Sequence, residues 1–212
     1  MSYRGPKVKK SRRLGVALSL KAQRGIERRP GPPGMHVRTR RPNKMSDYGR
    51  QLQEKQRLRF QYNVSEKQLR KYYKEASRQS GATPEVLIQL LESRLDNLVF
   101  RAGFARSIHA ARQYVRHGHF NVNGKPVDIP SYHIKPGDDI SVREKSKKMD
   151  CFAYALSTTE RVGYIKTEDT KLSFTYNSIP TREEITPIIC DVPVVVEPII
   201  CDVPVVVEYY SR

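Results

Sequence analysis

The strongest constraint in this chain is the pair Asn123-Gly124, set inside the alternating run Phe120-Asn121-Val122-Asn123-Gly124-Lys125-Pro126-Val127. A tight hairpin needs positive φ at both central residues, a conformation that Asn and Gly adopt at little cost, so this string predicts two antiparallel strands. Ahead of it, Ser107 opens a short helix whose Ile108, Ala111 and Val115 fall together, while His109, Arg112, Gln113 and Arg116 fall on a neighbouring face. Behind it, Pro136-Gly137 marks a second turn before Ile140-Ser141-Val142. Residues 94–143 therefore read as a helix-helix-hairpin-strand module with one side to bury and one to present.

Charge indicates the partner of that second side. The 212 residues bound the chain to one or two modest domains, and 39 Lys+Arg against 22 Asp+Glu give +17. A cation of this size at a mean hydropathy of -0.64 points to a polyanion, nucleic acid ahead of membrane. No run approaches the roughly 18 apolar residues of a membrane span, and the basic start lacks the apolar core of a secretory signal, so no membrane is expected. Cys151, Cys190 and Cys201 are odd in number and outside metal-ligand spacing, so a reducing compartment is expected. The charge is uneven: 18 basic and 3 acidic residues in 1–60, 16 and 10 in 61–150, but 5 and 9 in 151–212. The polyanion meets the front of the chain.

Residues 1–45 read as a basic arm, with Lys7, Lys9, Lys10, Arg12, Arg13, Arg28, Arg29, Arg38, Arg40 and Arg41 around the turn-rich Arg29-Pro30-Gly31-Pro32-Pro33-Gly34. Such a stretch is expected to order only against its partner. From Ser46-Asp47 the pattern turns helical, with Leu52, Gln56, Leu58, Phe60 and Tyr62 following and Lys55, Arg57 and Arg59 supplying a cationic surface. Ser65-Glu66-Lys67-Gln68 has the form of a capping box, opening a helix that carries Lys67, Arg70, Lys71, Tyr72, Lys74 and Arg78. Thr83-Pro84 opens a third, where Leu87, Leu91, Leu95 and Leu98 form a single core-facing stripe.

From Cys151 the chain is acidic and β-like. It contains an unbroken tandem repeat: the eleven residues 187–197, Pro-Ile-Ile-Cys-Asp-Val-Pro-Val-Val-Val-Glu, recur unchanged as 198–208. Two copies do not make a solenoid, so one copy is expected to be redundant, as a loop or an extra edge strand.

No constellation supports catalysis. Gly118 to Gly124-Lys125 has five residues between its glycines, and Pro126 stands where a phosphate-binding loop needs Ser or Thr. His117-x-His119 lacks a complementary metal ligand, and Asp96, Ser107 and His109 lack a nucleophile elbow. No cofactor, metal or small-molecule substrate is expected. Arginine forks, lysines, the free amides of a helix start at Ser107, and Tyr48, Tyr72 and Tyr114 suit phosphate and base contacts instead.

Several strings carry a resemblance. Leu91-Glu-Ser-Arg-Leu-Asp-Asn-Leu-Val-Phe-Arg-Ala-Gly-Phe-Ala105, Ala111-Arg-Gln-Tyr-Val-Arg-His-Gly-His119, Val122-Asn-Gly124 and Val127-Asp-Ile-Pro-Ser-Tyr132 resemble the RNA-binding module of the small-subunit ribosomal protein four family. Arg4-Gly-Pro6, Arg12-Arg-Leu-Gly15, Pro33-Gly-Met-His36, Asp47-Tyr48, Glu54-Lys-Gln-Arg-Leu-Arg59 and the closing Tyr-Tyr-Ser-Arg212 extend it over nearly the whole chain. The chain resembles the branch without zinc, having no cysteine before Cys151.

The resemblance implies an α+β fold. A basic arm (1–45) contacts rRNA, a helical lobe (46–93) takes back a C-terminal strand (203–212), an RNA-binding module (94–157) carries a small antiparallel sheet, and a β-rich extension (158–202) holds the duplication. It implies a structural protein of a bacterial or organellar small subunit that binds 16S-type rRNA early. It further implies seating in the 5′ domain beside small-subunit proteins three and five, near the mRNA entry channel, with an influence on decoding accuracy. RNA-facing side chains carried over by motif are Arg94, Arg101, Arg106, Ser107, Arg112, Gln113, Arg116, His117 and His119 in the module. Arg50, Lys55, Arg57 and Arg59, with Tyr48, Lys67 and Lys71, serve in the lobe, and Arg4, Lys7, Lys9, Lys10, Arg12, Arg13, Arg40 and Arg41 in the arm. Two rival readings, an RNA-modifying enzyme or a small stress-response protein carrying the same module, lack support. The flanks show no catalytic motif, and the N-terminal lobe is too long for the second.

Overall fold

The computed structural model describes residues 5–18, 20–29, 31–34, 46–158, 162–181, 184–185 and 202–211. In chain order the elements are α1 (Lys7–Leu14), α2 (Leu20–Arg28), α3 (Asp47–Gln61), α4 (Glu66–Ala76), α5 (Thr83–Glu92), α6 (Leu95–Arg101), α7 (Ile108–Arg116), β1 (Phe120–Val122), β2 (Lys125–Pro126), β3 (Asp139–Val142), α8 (Asp150–Thr158), β4 (Ile165–Glu168), β5 (Ser173–Tyr176) and α9 (Val203–Ser211). They form two compact units, one of residues 1–84 with 187–212 and one of residues 85–186.

The first unit is helical. Ser46 accepts a bond from the Gly49 amide to start α3, and Ser65 and Gln68 complete the predicted capping box on α4. The described part of the basic arm, residues 5–18, 20–29 and 31–34, is not the structureless stretch its composition suggests. Leu14 and Leu18 pack on Phe60 of α3, and the Arg57 guanidinium caps the open end of α1 by donating to the Leu14 carbonyl at 2.8 Å. Gly15, at φ 71°, closes α1 through its amide to the Ser11 carbonyl. Arg12 donates to the carbonyls of Arg29 and Gly31 at 3.1 and 3.2 Å, so it organises the proline-glycine turn. A few apolar anchors suffice here, and averaged composition hides them.

The expected C-terminal strand is a helix. Its three consecutive valines favour strands intrinsically, but Pro204 sits in the first turn, where its missing N–H costs nothing. Val203 and Val206 are buried at helical spacing, and Tyr210 continues that face to stack on Tyr73 with ring centroids 5.0 Å apart. The Asp202 amide donates to Glu54 of α3 at 3.3 Å, across 148 residues of sequence. The first repeat copy, 187–197, lies outside the described residues.

The second unit is built on one antiparallel five-stranded sheet of order β2-β1-β3-β5-β4. The hairpin forms as predicted, with Asn123 and Gly124 at φ 49° and 77°. Two expectations change. The segment after residue 150 does not begin β-like: α8 buries Phe152 and Ala155, and Phe152 lies edge-on to Phe104 and Phe120. The boundary at 157 is no boundary in space, because β5 pairs with β3 through Asp139↔Thr175, Ile140↔Phe174 and Ser141↔Ser173. Phe174 thereby comes within 5.4 Å of the Phe104 ring and joins the module's core.

The leucine stripe is likewise split. Ser93-Arg94 interrupt it, and the backbone there bridges to His133, with the Leu95 amide on the Tyr132 carbonyl and the Ile134 amide on the Ser93 carbonyl, both at 2.9 Å. Leu87, Leu91, Leu95 and Leu98 all remain fully buried, but on two helices.

Candidate nucleic-acid interface

The cations proposed from sequence fall into two groups once their partners are known. In the second unit Arg94 is 1% exposed and grips Asp96 with two bonds of 3.0 and 2.7 Å. Arg101, 4% exposed, grips Glu92 in the same forked way at 3.1 and 2.7 Å. Neither faces solvent, which corrects their reading as RNA contacts. A buried guanidinium held bidentately is costly to release, so these two build the module's interior. The Leu95-Asp96-Asn97 string is structural for the same reason: Asp96 also meets Arg112 at 3.5 Å, and Asn97 donates to the Glu92 carboxylate.

The remaining candidates of this unit lie along α7 and the turn after it. Arg106, Gln113, Arg116 and His117 are exposed, and Arg106 rests 5.1 Å from the Tyr154 ring. The Ser107 hydroxyl accepts from the Ala110 amide at 3.2 Å, so it serves as the helix cap. His119 is half-buried, with Nδ1 2.8 Å from Ser146 Oγ, and burial followed by the charges of His117 and Arg143 lowers its pKa. Arg143, which motif reasoning passed over, donates to the Gly118 carbonyl at 3.0 Å and so stands beside the two histidines. Nothing in its local sequence distinguishes it, since only the β1–β3 pairing brings it there.

In the first unit Lys55 is the clearest correction. It is 4% exposed, 2.9 Å from Glu66, and its ammonium lies 4.3 Å from the Tyr209 ring, so it faces α9 and not a ligand. Arg57 is held by Glu54 and Leu14, and Arg59 by Glu66 and the Phe60 ring. Arg50 makes only a 3.9 Å exposed pair with Asp47, and Tyr48 is exposed with its ring 5.8 Å from Tyr209. Lys9 and Arg13 are exposed, Lys7, Lys10 and Arg12 half-buried, while Arg4, Arg40 and Arg41 lie outside the described residues.

Among the described residues, α4 carries a row of exposed cations. Lys67, Arg70, Lys71 and Lys74 recur at helical spacing with Arg78 just beyond, all five are exposed, and no ion pair joins them to a carboxylate among the described residues. Motif resemblance singles out two of the five. The helical spacing of the others is visible in the sequence, but their lack of internal partners is not.

A helical unit and an α+β unit, each turning unpartnered cations to solvent over a closed apolar core, together have the architecture of a nucleic-acid-binding protein. Comparison with known proteins is specific. Residues 2–92 match the Ribosomal protein S4/S9 N-terminal domain, and residues 93–140 match the S4 domain. The small ribosomal subunit proteins uS4 of Micrococcus luteus and of a Nocardioides species are each 48% identical to it, over 90% and 99% of this chain and 93% and 98% of their own lengths. That of a Geobacillus species is 46% identical over 99% of this chain and 98% of its own. The chain belongs to the uS4 family of small-ribosomal-subunit proteins, a family of structural ribosome components and not of enzymes.

Proposed function

We propose that this chain is a structural constituent of the cytoplasmic small ribosomal subunit of bacteria, holding 16S-type rRNA through the cations that its own fold leaves unpaired. The observation that carries this reading is the α4 stripe of Lys67, Arg70, Lys71 and Lys74, exposed and without carboxylate partners among the described residues. A row of unpaired cations along a rigid helix neutralises successive phosphates, whereas paired ones gain little by changing partner. On the second unit Arg116, His117 and Arg106 offer a matching surface, with Arg143 steadying the turn after α7 through the Gly118 carbonyl.

The finer placement rests on the motif resemblance. The protein binds naked rRNA early, at a multi-helix junction of the 5′ domain, and lies beside small-subunit proteins three and five near the mRNA entry channel, where it bears on decoding accuracy. The surplus of acidic residues after residue 150 suits protein neighbours there better than RNA. Hydroxyl-radical footprinting of the full chain on naked 16S-type rRNA is the test. Protection is expected at one junction in the 5′ domain, and diffuse protection over the whole transcript would refute the placement. Sedimentation with the large subunit, or as a free pool, would refute the subunit assignment.

A further inference from the structure

Tyr154 is an aromatic ring that its own fold leaves in water. On α8 it stands two residues from Phe152, a rotation of about 200° around the helix, so the packing that sends Phe152 into the aromatic core turns Tyr154 to the opposite side. The residue is 56% exposed, and the residues flanking it on the helix surface, Ala153 and Ser157, are small and exposed. Ser157 and Thr158 donate their hydroxyls to the Tyr154 carbonyl at 2.9 and 2.8 Å, which fixes the last turn of the helix beneath the ring. The Arg106 guanidinium, itself exposed, lies over the ring at 5.1 Å from its centroid. Among the described residues the exposed rings are Tyr48, Tyr132 and Tyr154, and Tyr154 is the one that carries a cation. The surrounding charge is basic. Arg106 adjoins the Ser107 cap of α7, Lys145 and Lys148 stand exposed ahead of α8, and Asp150 is the single carboxylate of that helix. The acidic surplus of the tail starts only at Glu160.

We infer that Tyr154 and Arg106 form a stacking platform for one unpaired base of the bound rRNA. An arginine over one face of a tyrosine leaves the other face to a base, and every base has a π-face to offer. The base lies on the open face of the ring, and the N–H donors of Arg106 meet the phosphate beside it. The platform takes a single-stranded nucleotide without regard to sequence, so it adds a hold on an unpaired strand to the phosphate contacts of α4 and α7. It presupposes the rRNA binding proposed above.

The test uses the full chain and a transcript of the 5′ domain of 16S-type rRNA. Tyr154→Ala is expected to weaken binding at least about fivefold, the lower end of what a base stacked on an aromatic side chain contributes. The slope of log affinity against log salt should stay as it is, because no phosphate contact is lost. Tyr154→Phe keeps the ring and should bind within about twofold of the parent. Arg106→Ala should instead reduce the slope, by about 0.7–0.9. Thermal melts should place both Tyr154 variants within about 3 °C of the parent, since removing an exposed ring opens no cavity. Ultraviolet irradiation of the complex, followed by nuclease digestion and mass spectrometry, should leave a nucleotide on the peptide that contains Tyr154. Binding by Tyr154→Ala as tight as the parent's overturns the inference, and so does a Tyr154→Phe loss equal to that of Tyr154→Ala, which would assign the contact to the hydroxyl. Full binding to naked rRNA with a loss only in the assembled subunit gives the ring to a protein neighbour and also overturns it. A parent chain that fails to bind the transcript refutes the rRNA reading itself, whereas a parent that binds beside an equally tight Tyr154→Ala refutes the platform alone.

Discussion

The Tyr164 hydroxyl donates to Glu92 Oε2 at 3.1 Å, joining the segment before β4 to the end of α5 across 72 residues of sequence. Glu92 is fully buried and also receives both arms of the Arg101 fork, so one carboxylate gathers three parts of the second unit. Burial, then the adjacent Glu92 charge, raises the Tyr164 phenol far above its ordinary pKa, so it remains a donor throughout the neutral range.

Glu92→Ala leaves the Arg101 guanidinium buried without its main counter-charge and should destabilise the second unit by about 3–5 kcal/mol. Tyr164→Phe, which removes one donor to a charged acceptor, should cost about 1.5–3 kcal/mol. Urea denaturation followed by tyrosine fluorescence checks the order. Equal losses would contradict a carboxylate-centred network.

The first unit should lose stability in acid through Glu66. Burial raises the pKa of its carboxyl, but the bonds from Lys55 and Tyr210 and the charges of Lys55 and Arg59 outweigh that and lower it below 4.5. The unfolded chain therefore takes up the proton first on acidification. The stability Glu66 contributes is complete above the unfolded value and is lost as pH falls through the folded one. Glu66→Gln should flatten this part of the stability profile below about pH 4.5, and an unchanged slope would exclude Glu66 as its source.

Replacing Lys67, Arg70, Lys71 and Lys74 together by Ala should weaken rRNA binding and reduce the slope of log affinity against log salt by about 0.7–0.9 for each phosphate no longer neutralised. Circular dichroism should show the helix intact, since alanine favours it. Arg101→Met should do the reverse, lowering the melting temperature with the salt slope unchanged. A full slope in the quadruple variant would remove α4 from the interface.

Gly25 of α2 faces Val8 of α1, where an added Cβ would lie 2.6 Å from Val8 Cγ1. Gly25→Ala gains helix propensity, yet should destabilise the first unit by about 1–3 kcal/mol through overpacking. Pairing it with Val8→Ala should recover most of the loss, as a thermal melt would show.

Local rules are legible wherever one residue settles the backbone. Asn123-Gly124 forms its hairpin, Ser46, Ser65 and Ser107 all cap helices, and Leu87, Leu91, Leu95 and Leu98 are all core. Tertiary partners are not legible. Whether an arginine faces phosphate or a carboxylate depends on a fold that brings Asp96 or Glu92 within reach, and the expectations for Arg94, Arg101 and Lys55 fail on that account. The valine run before Tyr209 reads as a strand because strand propensity is an average over contexts, whereas a groove on α3 rewards one helical face. The unassigned cations of α4 are visible as a pattern, but only the map of ion pairs distinguishes them from those already neutralised.

The partnership of α3 with α9 also sets an order of events on the translating ribosome. In sequence the entire second unit lies between the two helices, so α3 emerges with the side that α9 meets uncovered and keeps it so while every strand of the sheet is made. The unit begun first is therefore finished last. A nascent chain paused within β4 or β5 would present the surface around Glu54, Lys55 and Tyr73, which α9 later covers, to any chaperone present, and translation speed through that stretch sets how long it stays open.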